Sequence, residues 1–139
     1  MKSVSLLSFI LFGLLLVGFS GPKEIGISFY NGKYIDAKKL ASESGKTLFI
    51  DGYTEWCKPR KQMALTVFTD KELGQYFNTH FVNVKMDMEK TDGMPVSKRY
   101  NVNFYPTLLF VKPDGTLIRK EVGFHDKDQL LKLAREIAP

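Results

Sequence analysis

Among the 139 residues of this chain there is one cysteine, Cys57. No internal disulfide can staple the chain, so whatever it folds into must be held by its own hydrophobic core. The lone sulfur does not sit inside an apolar run, where an inert thiol would be expected. It lies in Tyr53-Thr54-Glu55-Trp56-Cys57-Lys58-Pro59-Arg60, between a continuous apolar segment and a helical one.

The first twenty residues stand apart from the rest. Lys2 is their only charge, and a nearly unbroken apolar run extends from Val4 to Phe19. Gly18 and Ser20 supply small residues three and one places before a cut ahead of Gly21. This pattern predicts a signal peptide over residues 1–20 and a mature domain over residues 21–139. The run falls short of the roughly 20 residues that span a bilayer, so an uncleaved amino-terminal anchor is the alternative. Export to a periplasm or the external medium is therefore expected, with membrane attachment only if the segment is retained.

Removing Lys2 from the 20 basic side chains leaves 19 against 15 acidic ones, a net charge of +4. The bases are dispersed without a long run, which does not point to nucleic acid. Export would place the lone thiol where disulfides persist, able to pair only with another molecule.

Along the mature chain the pattern alternates between strand and helix. Ile27 to Tyr30 is a short strand candidate. Tyr34 to Ser44 has helical spacing, with Tyr34, Ala37, Leu40 and Ala41 on one face and Gly45 as a stop. Thr47 to Tyr53 reads as a strand buried on both sides. Pro59 to Phe68 reads as a helix whose inner side carries Met63, Leu65, Val67 and Phe68. Thr69-Asp70-Lys71-Glu72 predicts the cap of a short helix through Phe77. Phe81 to Asp87 follows as a strand, and Val96 to Tyr100 as a helix. Thr107 to Val111 and Leu117 to Val122, joined by Lys112-Pro113-Asp114-Gly115, make a hairpin. Asp126 caps a last helix carrying Leu130, Leu133, Ala134 and Ile137. No repeat or linker interrupts this order, which predicts one α/β domain.

Three features in this order resemble the thioredoxin superfamily. Trp56-Cys57-Lys58-Pro59 sits at a strand-to-helix junction, Asp51 precedes it by six places from Cys57, and Tyr105-Pro106-Thr107 precedes the hairpin. The resemblance covers about Lys33 to Ala138. It implies a thioredoxin-like fold, with a central mixed β-sheet flanked by helices on both faces. It also implies that Arg60 stands where such proteins carry their second cysteine, and that Pro106 follows a cis peptide bond. X–Pro bonds in general are cis only about 5–6% of the time, so that expectation belongs to the resemblance.

One sulfur cannot run a dithiol cycle, but it can run one-thiol chemistry. A helix starting just after Cys57 turns its positive end toward the sulfur, and Lys58, Arg60 and Lys61 add cations nearby. Cys57 is therefore expected to be a partly exposed thiolate, with Cys57 and Arg60 as the catalytic pair. Trp56, Pro59, Tyr105, Pro106 and Thr107 are the expected substrate-binding residues. Asp51 is a structural or proton-transfer group, with a lysine as its expected partner; Tyr53 and Phe104 are expected to pack.

The expected activity is monothiol thiol–disulfide exchange, as disulfide shuffling, deglutathionylation or client trapping. Its partners would be client proteins or small-molecule thiols and disulfides. The alternative is a redox-silent binding or assembly module that uses the groove beside Pro106. No cofactor is expected. No metal is expected either, since Cys57, His80 and His125 have no useful ligand spacing. Lys58-Pro59-Arg60 is not the glycine-containing turn of monothiol glutaredoxins.

Overall fold

Thr47-Leu48-Phe49-Ile50-Asp51-Gly52-Tyr53 carries large apolar side chains on both faces, and the fold puts it where both can be buried. In the computed structural model, which describes residues 25–139, this segment is strand β1 (Thr47–Tyr53), inside a four-stranded sheet. The elements run α1 (Tyr34–Ser44), β1, α2 (Lys58–Thr66), α3 (Lys71–His80), β2 (Phe81–Asp87), α4 (Gly93–Arg99), β3 (Thr107–Val111), β4 (Leu117–Val122) and α5 (Lys127–Ile137). The sheet order is β2-β1-β3-β4. β1 pairs with β2 in parallel from Thr47 opposite Phe81 to Tyr53 opposite Asp87. It pairs antiparallel with β3, which continues into β4 as a hairpin.

The two faces of β1 divide the core in two. Phe49, with Leu108 and Phe110 of β3, meets Met63, Leu73, Phe77, Leu130 and Ala134 from α2, α3 and α5. Leu48 and Ile50, with Leu109 and Val111, meet Ala37 and Ala41 of α1, Val96 of α4 and Tyr100 just after it. This is the mixed sheet with helices on both faces that the sequence order implies.

Capping sets the helix starts. The Asp70 carboxylate accepts from the Leu73 N–H at 2.9 Å, so α3 begins where the acidic pattern suggests, though it runs on to His80 rather than stopping at Phe77. Asp126 and Gln129 form a reciprocal capping box at α5. The helix expected over Val96 to Tyr100 starts earlier, at Gly93. A Cβ at Gly93 would run into the Asp87 backbone, so the helix start is pressed against the end of β2.

Three expectations need correction. Residues 27–30 do not form a strand. Ile27 reaches the core and Tyr30 donates its N–H to Asn83 O at 2.8 Å, but side-chain amides do most of the stitching. Asn78 accepts from Ser28 N–H and donates to Gly26 O, while Asn83 donates to Ser28 O. Leu65 is 76% exposed and does not belong to the inner side of α2, because that helix ends at Thr66 and Val67-Phe68 turn into the core separately. Leu40 is also largely exposed; only Ala37 and Ala41 of α1 are fully buried, since small residues let that helix lie close to the sheet. The signal segment expected over residues 1–20 lies outside the described residues. Among those described, no helix is long and apolar enough to cross a membrane.

Candidate functional site

The end of β1, the start of α2 and the loop before β3 meet at one end of the sheet. The Cys57 N–H donates to Thr54 O at 3.1 Å, closing a tight turn after β1. That turn sends neighbouring side chains opposite ways: Trp56 is 64% exposed, whereas Cys57 is 2% exposed. The expectation of a partly exposed sulfur is therefore corrected, since the turn faces Cys57 inward. Cys57 is the N-cap of α2, with extended backbone and no capping hydrogen bond from its side chain. Pro59 falls in the first turn, where its missing N–H costs nothing.

Arg60 comes one turn into α2, above the β1 face that carries Phe49, Asp51 and Tyr53. Its Nε donates to Asp51 Oδ2 at 2.9 Å, and its guanidinium lies 4.0 Å from the centre of the Tyr53 ring. The expected partner of Asp51, a lysine, is thus replaced by an arginine. The Arg60 charge, expected to serve the sulfur, is committed to a carboxylate instead. Geometry explains both changes: strand side chains at i and i+2 share a face, so Asp51 and Tyr53 together form a cradle under the helix. Tyr53 is a site residue that sequence reasoning missed, and its period-two relation to Asp51 was the signal.

Asp51 is fully buried. Burial pushes its carboxyl up to about 6, while the Arg60 guanidinium and its hydrogen bond, and then Lys85, pull the other way. At neutral pH it is an anion paired with Arg60. Its other oxygen, Oδ1, and the Thr54 hydroxyl are buried and meet no partner among the described residues.

The facing loop is also closely held. The Tyr105–Pro106 bond is cis. Thr107 is buried and its hydroxyl donates to Phe104 O at 2.6 Å, while Gly123 N–H donates to Pro106 O. Tyr105 keeps its backbone N–H and carbonyl free of backbone partners among the described residues. Its ring meets Trp56 edge to face at 5.8 Å, so these two expected binding residues are brought together across the loops. The Trp56 indole N–H donates to Glu89 Oε1 at 3.3 Å, a contact the sequence did not suggest. Phe104, expected to pack, is 68% exposed beside this pair.

Residues 34–138 match the thioredoxin-like domain family. The chain belongs to that family. It is 32% identical over 80 residues to Thioredoxin-1 of Drosophila yakuba, covering 58% of this chain and 70% of that protein. It is also 32% identical over 80 residues to the thiol:disulfide interchange protein DsbD of Haemophilus ducreyi, but spans only 14% of that protein's length. In three dimensions it resembles a candidate disulphide-isomerase from Bacteroides thetaiotaomicron, with a TM-score of 0.71 and 40% identity. That match covers 85% of this chain and all of the other. This member of the thioredoxin-like domain family carries one cysteine in its sequence.

Proposed function

We propose that the chain is an exported monothiol thiol–disulfide exchange protein, with Cys57 as the attacking sulfur and Arg60 in place of a second cysteine. The observation that carries this reading is the position of Cys57 at the N-cap of α2, at the same end of the sheet as the cis Tyr105–Pro106 bond. The backbone of Tyr105 pairs with an extended client strand, and Trp56 and Pro59 shape the groove around it, while Thr107, fully buried, holds the loop from within instead of touching the client. The thiolate attacks one sulfur of a client disulfide, breaking that S–S bond and releasing the client's other sulfur as a thiolate. A client thiol or a small external thiol then attacks the mixed disulfide and returns Cys57 as a thiolate. Shuffling by this route leaves the number of disulfides unchanged. Attack requires Cys57 to be uncovered, so exchange proceeds through local opening of the 54–57 turn.

A second reading has its own support. A sulfur 2% exposed, beside an arginine already pinned to Asp51, suits a redox-silent binding module that keeps only the groove. The two readings separate on a non-reducing gel of acid-quenched, alkylated protein from its own cells, run beside Cys57→Ser. Reductant-sensitive adducts that vanish in Cys57→Ser are expected. Their absence, with a fully unmodified thiol even in a trapping background lacking small thiols, favours the silent module.

Arg60→Cys is a complementary test. One helical turn separates residues 57 and 60 by about 5–6 Å between Cα atoms, within disulfide reach. The variant is expected to oxidise to an internal disulfide, read as loss of two titratable thiols. If it stays reduced under mild oxidant, Arg60 does not occupy the position of a second active-site cysteine.

A further inference from the structure

Between the start of α1 and the length of α4 lies a cavity of about 360 Å³ on the face of the sheet opposite α2. Tyr100 and Tyr34 form part of its floor, and Tyr100 donates its hydroxyl to Gly115 O at 2.8 Å. Burial and the neighbouring Tyr100 hold the Tyr34 phenol above its ordinary range, so it stays a neutral group at physiological pH. Val96 supplies an apolar wall.

The rim is basic. Some lysines and arginines elsewhere pair with carboxylates, among them Lys39 with Glu43, Lys90 with Glu55, Lys127 and Arg135 with Glu72, and Arg119 with Glu121 and Glu136, while others such as Lys58, Lys61 and Lys132 have no such partner among the described residues. Lys33, Lys38 and Arg99, which line this cavity, have no ion-pair partner among the described residues. Lys38 sits 6.0 Å from the Tyr34 ring centre, and Arg99 spends one donor on Gly115 O. Asp92 is the one carboxylate of the lining, and Asp114 in the nearby turn is engaged by the Thr116 N–H. Three cations against one carboxylate leave an excess of positive charge around an aromatic and apolar hollow.

We infer that this cavity is a binding site for a small organic anion, a flat apolar body bearing one carboxylate. The volume falls in the lower range of small-molecule pockets, and the division into apolar floor and polar rim is typical of them. A small hydrated ion such as phosphate would gain nothing from the apolar surfaces. An uncharged aromatic would leave the cations unpaired. The site involves neither Cys57 nor the groove beside Pro106, so it stands whether or not the thiol is reactive.

The test uses the full chain, isotopically labelled, titrated with 2-naphthoate and separately with uncharged 2-naphthylmethanol. Saturable amide shifts at Tyr34, Val96 and Tyr100 are expected with naphthoate, and much weaker ones with the alcohol. Lys33→Gln/Lys38→Gln, whose side chains make no hydrogen bond among the described residues, should weaken naphthoate roughly three- to tenfold, the effect of two partly exposed charges. The same variant should leave the alcohol unchanged, and Cys57→Ser should leave both unchanged. No shift at millimolar naphthoate, equal binding of the alcohol, or undiminished binding by the double variant would each overturn the proposal.

Discussion

Asp51 and Arg60 hold opposite charges in a place where water cannot reach the carboxylate, and this makes the pair costly to break from one side. Arg60→Leu would leave a buried anion unpaired, and a loss of about 3–5 kcal/mol at neutral pH is expected in urea denaturation. The loss should shrink under acidic conditions, where Asp51 can take a proton. The sign for the wild-type protein follows from its raised carboxyl. Between the ordinary 3.8 and about 6 the folded state binds more protons than the unfolded one, so this group's contribution falls as pH rises and levels off above about 6. Asp51→Asn, which never ionises, should therefore gain on wild type as pH climbs from 4 to 7, by on the order of 3 kcal/mol. A pH-independent difference between the two proteins would show that Asp51 titrates as an ordinary aspartate.

At the scale of elements, caps and side-chain amides hold what ladders do not. The Asp126 side chain accepts from the Gln129 N–H and the Asp126 N–H donates to Gln129 Oε1, so Asp126→Ala removes one half of a reciprocal cap at α5. A cost of about 1 kcal/mol is expected, read as a lower denaturation midpoint with an unchanged slope. Segment 27–30 depends on Asn78 in the same way. Asn78→Ala removes its bonds to Ser28 and Gly26, and faster hydrogen exchange at Ser28 is expected, with β1 unaffected. Uniform acceleration across β1 as well would mean that this segment opens only with the whole domain.

The molecule as a whole rests on two cores divided by β1. Phe49 is central to one of them, 4.8 Å from Phe77 and 5.2 Å from Phe110 between ring centres. Phe49→Ala should cost about 3–5 kcal/mol, because the surrounding rings of Phe29, Phe68, Phe77 and Phe110 cannot all collapse into the space left behind. A cost below about 1 kcal/mol would mean that the aromatic cluster repacks freely. The parallel β1–β2 pairing and central β1 also explain why the site lies where it does. The turn after β1 and the loop before β3 emerge at the same end of neighbouring antiparallel strands, as Gly52 opposite Thr107 shows.

Much of this architecture could be read from local pattern. The apolar run of residues 47–53 has to be an interior strand, Pro113-Asp114-Gly115 has to turn, and Asp70 and Asp126 are caps by virtue of their own side chains. Those features act within a few residues, so composition and spacing suffice. The amides of Asn78 and Asn83 do not advertise that they will replace a strand ladder, because their partners lie about fifty residues away. The same holds at the site. Trp56-Cys57-Lys58-Pro59-Arg60 by itself specifies one sulfur at a helix start followed by a cation. Only the packing of α2 over β1 decides that the cation goes to Asp51 and Tyr53, and only the 54–57 turn decides that the sulfur faces inward. A side chain's type is local, but its charge partner and its exposure are set by whichever surface the rest of the fold brings against it.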